Sequence, residues 1–242
     1  MKIKLLFIGA LTLLSTLFSS CEDDDVVVVD PDDAYTDAQN AIAVSLAYQA
    51  YGMVANINYA AETLIDHAEC DKPYSKSDTL DGEMPWHYGH YTYYCAENYL
   101  VPCSDTQPIE YGLEAKQVFE GHRSYEHHIA LAFTVDGKSS NANDQVFNGM
   151  YKREGGLDAV ESVNSYQFAF ESELQDVYLS KQSDKIYRGT ADFTLTENYG
   201  SSSPTYTYHG QVEFVNENEA KVVFDEGETF TVNLHNLSIT EH

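Results

Sequence analysis

The chain has 242 residues, with 39 acidic against 13 basic side chains, a formal charge of −26, 43% hydrophobic residues and 19 tyrosines. Charge of this sign repels phosphate backbones and anionic headgroups, so nucleic acid and an electrostatically held membrane surface are poor partners. The apolar and aromatic content suits a packed body rather than a disordered one.

The first element in chain order is an export signal. Lys2 and Lys4 form a basic start, and Leu5 to Phe18 form an apolar run broken by Gly9, Thr12, Ser15 and Thr16; Ser19, Ser20 and Cys21 follow. At Cys21 the sequence resembles the lipobox of bacterial lipoproteins, with Phe18 where Leu is usual and Ser20 where Gly or Ala is usual. The resemblance implies that the Cys21 thiol receives a diacylglycerol, that residues 1–20 are removed and that the new amine is acylated, palmitate being the usual chain. The alternatives are an ordinary secretory signal and a retained membrane helix; the run is shorter than the ~20 residues a span needs. Removal takes away Lys2 and Lys4 and no acid, leaving 11 basic against 39 acidic residues, a formal −28.

Residues 21–37 read as an acidic tether. Glu22, Asp23, Asp24, Asp25, Asp30, Asp32 and Asp33 surround the short apolar run Val26 to Val29 and Pro31. Such a stretch buries too little apolar surface to offset the entropy of ordering, and its charges repel one another. Extended from Glu22 to Asp37 it spans at most roughly 50 Å, enough to stand a folded body off a bilayer. Acids directly after the cysteine also resemble the surface-export signal of certain Gram-negative lipoproteins. That implies an outer-membrane address at the cell surface; a spacer without a sorting role is the alternative.

Residues 38–242 read as one domain, with no linker and no fixed-period repeat. Asp37 is the expected N-cap of a helix running to about Cys70, on which Ile42, Leu46, Met53, Ile57, Leu64 and Ile65 recur near helical spacing. Val44, Ala47, Tyr48, Tyr51 and Ala55 widen the stripe, Gly52 is a point of division, and Gln49, Asn56 and Asn58 oppose a membrane span. From about Tyr91 the period falls to two. Ile129, Leu131, Phe133 and Val135 alternate with polar or small residues, as do Tyr166, Phe168 and Phe170; Tyr187, Ala191, Phe193 and Leu195; Tyr206, Tyr208, Val212 and Phe214; Val222 and Phe224; and Phe230, Val232 and Leu234. Asp136-Gly137, Gly155-Gly156, Asn216 to Glu219 and Asp225-Glu226-Gly227 supply turns. The expected fold is therefore mainly β, of the α+β class: a curved or closed antiparallel sheet of about seven to nine strands packed on one N-terminal helix.

The strands Val146 to Tyr151, Tyr187 to Phe193 and Tyr208 to Phe214, behind an alanine-rich helix and cysteines, are similar to a loose group of bacterial lipoproteins of unknown function. The resemblance implies a fold and carries no activity.

Three further cysteines remain, and export to an oxidising compartment favours one bond and one leftover thiol. Cys95 with Cys103 closes a short hairpin around Pro102 and is the preferred disulfide; Cys70 with Cys95 and three buried thiols are the alternatives. For metals, His87 with His90, aided by Glu83 or Glu97, and His122 with His127 and His128 are the best clusters. His127 and His128 on a strand point to opposite faces, so these read as surface or loop histidines, with no metal and no cofactor expected. No nucleophile elbow, zinc-protease helix, phosphate loop or dinucleotide fingerprint occurs, and acid pairs such as Glu171 and Glu173 are expected by chance among 39 acids. No catalytic residue is assigned.

Three functions follow. The first is a lipid-anchored, non-enzymatic structural or accessory role in the cell envelope, beside an envelope protein partner. The second is carriage of an apolar or amphipathic ligand between sheet and helix. The third is glycan or protein binding at the cell surface through Trp86 and Tyr88, with Tyr91, Tyr93, Tyr94 and Tyr99 around them.

Overall fold

The computed structural model describes residues 31–65, 70–84, 89–104, 106–120, 125–137, 142–156, 166–200 and 205–242. The lipid-attachment candidate Cys21, the signal and the first part of the tether lie outside them, as do Trp86, His87, Tyr88 and His122. Among the described residues no helix is long and apolar enough to cross a membrane.

Among the described residues two helices, not one, precede the strands: α1, Pro31–Leu46, and α2, Met53–Ile65, joined by a single 3-10 turn over Tyr48–Ala50. The break is a backbone event. Ala47 is extended, Tyr51 is left-handed at φ 51°, and the Gly52 amide returns to the Ala47 carbonyl at 2.9 Å. Gly52 packs so tightly here that a Cβ would lie 2.7 Å from the Ser45 carbonyl oxygen, which only glycine tolerates. Asn56 then holds the second start, its Nδ2 donating to the Tyr51 and Gly52 carbonyls at 2.9 and 2.8 Å. α1 begins before the expected cap, at Pro31, a residue whose fixed φ suits a first helical turn. Asp37 therefore lies inside the helix and does different work, described below.

Among the described residues the sheet is a single antiparallel meander of eleven strands, in the spatial order β1 to β11: Pro73–Met84, Gly89–Leu100, Ile109–Glu120, Tyr125–Asp136, Asp144–Gly156, Gln167–Ser180, Lys185–Asn198, Thr205–Asn216, Glu219–Phe224, Thr229–Asn233 and Ile239–Glu241. It is open, with β1 and β11 at its edges, and holds more strands than expected. Gly155 and Gly156 complete β5 opposite Phe168 and Gln167 rather than making a turn.

Alternation defines one buried face, and register carries it across the sheet. A single cross-strand row reads Asp78, Cys95, Ala115, Ile129, Arg153, Phe170, Leu195 and Tyr208. At Asp176, φ 49°, β6 carries an irregularity that lets Leu174 and Val177 both point inward despite their odd spacing. The two helices fill this face, with Ile42, Leu46, Met53 and Ile57 fully buried in one core with the strand residues.

One basic side chain fastens the layers. Arg153 of β5 is wholly buried, and its Nη1 donates to the carbonyls of Val44 and Ala50, both at 2.9 Å, near the C-terminal ends of α1 and the 3-10 turn. Its Nη2 donates to Gln117 Oε1 at 2.8 Å and to His127 Nδ1 at 2.6 Å, and its Nε reaches the same Nδ1 at 3.2 Å. The His127 Nε2–H donates to the Gly156 carbonyl at 2.7 Å, so the ring is neutral; burial, then the Arg153 charge, hold its pKa well below the usual range. His127 is thus a core residue and not the surface histidine its neighbours suggest, while His128 is exposed against Glu126.

The disulfide also differs from expectation. Cys70 bonds Cys103, tying the segment after α2 to the end of β2, and the Asp71 carboxylate and amide add bonds to the Cys103 amide and the Val101 carbonyl. The expected Cys95–Cys103 pair fails on reach. Cys95 lies on the core side of an extended strand that continues to Leu100, placing its Cα roughly 16 Å from the strand end, against a limit near 7 Å for a bridge. Peptide mapping without reduction should recover residues 70 and 103 in one linked product, with Cys95 alkylated only after unfolding; alkylation of Cys95 in the native protein would contradict this arrangement.

Candidate functional site

The helix layer stops short of the β1 edge, and the uncovered step forms a cleft of about 320 Å³. Its sheet wall is Leu80 of β1 and Tyr93 of β2, directly paired across the strands. Its other wall is the outer side of the 3-10 turn and α2: Tyr48, Gln49, Tyr51, Asn58, Tyr59 and Glu62. Ala55, Asn58 and Glu62 follow helical spacing, so α2 turns an apolar face to the core and a second, polar and aromatic stripe to the cleft.

The walls are held by their own bonds. Tyr93 Oη donates to Asn56 Oδ1 at 2.7 Å, and Tyr51 Oη donates to Tyr91 Oη at 2.6 Å. The Tyr51 and Tyr93 rings stack at 5.0 Å and 22°. Behind Tyr59, the Cys95 thiol donates to its hydroxyl at 3.9 Å. Burial pushes the Tyr51, Tyr59 and Tyr93 hydroxyls far above their usual range, so all three remain protonated donors. Two polar atoms in this region have no partner: Oδ1 of the cleft-lining residue Asn58, itself covered from solvent, and Glu97 Oε1, two residues beyond Cys95 on the same face of β2. The other Glu97 oxygen accepts from Tyr111 Oη at 2.9 Å.

A second polar cluster sits between α1 and the sheet. Glu197 of β7 is fully buried and accepts from Tyr166 Oη at 2.5 Å and Tyr199 Oη at 3.5 Å. The Asp37 carboxylate accepts from the same Tyr199 hydroxyl at 3.1 Å, and its carbonyl accepts from Tyr166 at 3.4 Å. Burial pushes the Glu197 carboxyl up to about 7, against the bonds from the two tyrosines, and the nearby Asp37 charge adds to the rise. This is a latch for the helix. On the opposite face of the sheet, a shallow hollow of about 650 Å³ is bordered by Glu171, Glu173, Asp192 and His209. Asp192 already accepts from Gln175 and Gln211, and His209 bonds Thr194.

The expected aromatic surface is divided by the pleat. Tyr93 and Tyr99 point into the core, Tyr91 is half-buried against Tyr51, and Tyr94 alone of the described members is turned outward, at 47% exposure. Trp86 and Tyr88 lie outside the described residues. His90 stands exposed 3.9 Å from Asp81, and among the described residues no group of histidines, cysteines and acids could hold a metal. In the sequence Tyr48 only widens the apolar stripe and Gln49, Asn56 and Asn58 only oppose a membrane span; the signal that marks the cleft wall is the helical spacing of Ala55, Asn58, Tyr59 and Glu62 along one side of α2. Compared with family models, with curated proteins and with solved structures, the chain finds no match.

Proposed function

We propose that the chain is a lipid-anchored, non-enzymatic accessory protein of the cell envelope, held at the outer surface through Cys21, whose working surface is the cleft between α2 and β1. The anchor half of this reading rests on the signal, the cysteine and the acidic residues after it. The binding half rests on one observation: an aromatic-walled cleft lined by Asn58, whose covered Oδ1 has no partner. Among the described residues the lining offers one carboxylate, Glu62, and no histidine, serine or cysteine, which favours holding a ligand over transforming it. Carriage of an apolar ligand between the layers gains nothing from the packing, because Ile42, Leu46, Met53 and Ile57 already occupy that space.

Two measurements test the halves separately. Metabolic labelling with an alkynyl palmitate should mark the wild type, and Cys21→Ser should be unlabelled and released from envelopes; a labelled or envelope-bound serine variant refutes the anchor. Hydrogen exchange of the full chain against fractionated envelope material should show protection over residues 48–62 and 78–82. Protection confined to other segments, or none from any fraction, refutes the cleft as the working surface.

A further inference from the structure

We infer that the cleft binds a neutral sugar ring, presented as a residue of an oligo- or polysaccharide. The inference rests on the reading of the cleft as the working surface and adds the chemical class of its ligand.

Charge excludes one class. Among the described residues no lysine, arginine or histidine lines the cleft, Glu62 does, and the chain as a whole is strongly acidic, so a phosphate or carboxylate ligand would enter against the field with no counter-charge. Lining chemistry excludes a second. Ala55 and Leu80 are the only aliphatic side chains of the wall among the described residues; Tyr51, Asn56 and Tyr93 are satisfied within the wall, but an acyl chain would offer Asn58 no partner and would strip water from Gln49 and Glu62.

A quaternary ammonium is excluded by ring geometry. An aromatic cage needs several ring faces turned on the cation, but Tyr51 stacks on Tyr93 at 5.0 Å and leans on Tyr91 at 5.3 Å, so these faces are turned to one another. Tyr48 and Tyr59 remain as platforms, and Tyr48 is 48% exposed.

What is left is a molecule with a flat C–H face and a rim of hydroxyls. The C–H face packs on the Tyr48 ring and Leu80; the hydroxyls donate to Glu62 and, once the Asn58 side chain turns its covered Oδ1 toward the cleft, to that amide oxygen, and they accept from Gln49 and the Tyr59 hydroxyl. The volume of about 320 Å³ is at the small end of ligand sites and fits one or two rings rather than a long segment. The tether and cleft then act together, the first holding the body away from the bilayer and the second facing extracellular or envelope glycan.

The test uses the full-length lipoprotein in a detergent without a sugar headgroup, observed by saturation-transfer NMR. The probes are neutral oligosaccharides of glucose, galactose and mannose, with oligogalacturonate as the anionic control and choline as the cationic one. At least one neutral oligosaccharide should receive magnetisation and the two controls none. Asn58→Ala should weaken that binding about tenfold while leaving the unfolding temperature unchanged or higher, since it removes an acceptor that has no partner in the folded protein; Tyr48→Ala, at an exposed position, should weaken it similarly. A merely structural asparagine would move stability and spare affinity. Transfer to choline or oligogalacturonate in preference to every neutral sugar overturns the sugar assignment and leaves the cleft as a binding surface. An Asn58→Ala variant that binds a neutral sugar as tightly as wild type also overturns it. Silence of all probes, with the cleft still protected from hydrogen exchange by an envelope fraction, overturns the sugar while sparing the accessory-protein reading; silence in both experiments removes both.

Discussion

Arg153→Met should destabilise the fold by about 4 kcal/mol and lower its unfolding temperature by roughly 10 °C, the largest single-residue effect expected in this chain. The guanidinium spends all its N–H groups on four acceptors: the Val44 and Ala50 carbonyls, Gln117 Oε1 and His127 Nδ1. Methionine fills similar volume and donates nothing, so two carbonyls at helix ends and two side-chain acceptors become buried and unpaired together. No carboxylate is among the partners; the charge is balanced by carbonyl dipoles at the C-terminal end of α1, where a cation is favoured. Arg153→Lys should recover less than half of the loss, because an ammonium is a point charge with a shorter reach and cannot span acceptors on α1, the 3-10 turn, β3 and β4 at once. Chemical denaturation followed by far-UV circular dichroism decides the matter. A methionine variant within about 1 kcal/mol of wild type would show that the helices hold to the sheet by apolar packing alone.

Glu197→Gln should stabilise the protein by about 3 kcal/mol at pH 8 and make little difference at pH 4.5. The folded carboxyl titrates near 7, above its ordinary value of 4.5, so between those limits the native state holds more protons than the unfolded one. The stability this group contributes is therefore fully present below about 4.5 and lost as pH rises through 7. The charged form is penalised by burial and by Asp37, while Tyr166 and Tyr199 only partly relieve it. Glutamine is neutral at every pH and removes the alkaline penalty.

His127 titrates with the opposite consequence. Its folded pKa lies well below the unfolded value of 6.5, so its contribution is present above 6.5 and falls as pH drops, by up to about 1.4 kcal/mol per pH unit. Around pH 5 to 6.5 the two buried groups oppose each other, and wild-type stability should be nearly level there so far as these two set it. In Glu197→Gln the His127 loss stands alone, and stability should fall steadily below pH 6.5. Urea midpoints of the two proteins across pH 4.5 to 8 test this, and a constant difference between them would refute it.

The legibility of the fold follows burial. β4 and β6 to β10 declared themselves because each has one dry side and one wet side, which writes alternation directly into residue type. β1 did not, being an edge strand exposed along nearly its whole length, where neither face imposes a pattern. β2 hid for a different reason: tyrosines occur on both of its sides, Tyr93 and Tyr99 in and Tyr94 out, so composition masks the pleat. β11, at three residues, is too short to show a period. The helical segment was visible as apolar and long, and Gly52 marked the place where it divides, but a single cap at Asp37 could not be separated from a start at Pro31 by residue type.

The chain order of residues by itself determined the period of each element, the one-sided strands, the apolar helical face, the division near Gly52 and the acidic, cysteine-headed N-terminal segment, because these depend on neighbours within a few positions. Only the tertiary structure decided that Arg153, His127, Gln117, Glu97 and Glu197 belong inside, that Cys70 meets Cys103, and that a polar stripe of α2 faces Leu80 across an open step. The physical reason is partnership over distance. A buried polar group is tolerable only when its acceptors arrive from other elements, for Arg153 from residues up to 109 positions away along the chain, and register sets those meetings where local spacing cannot.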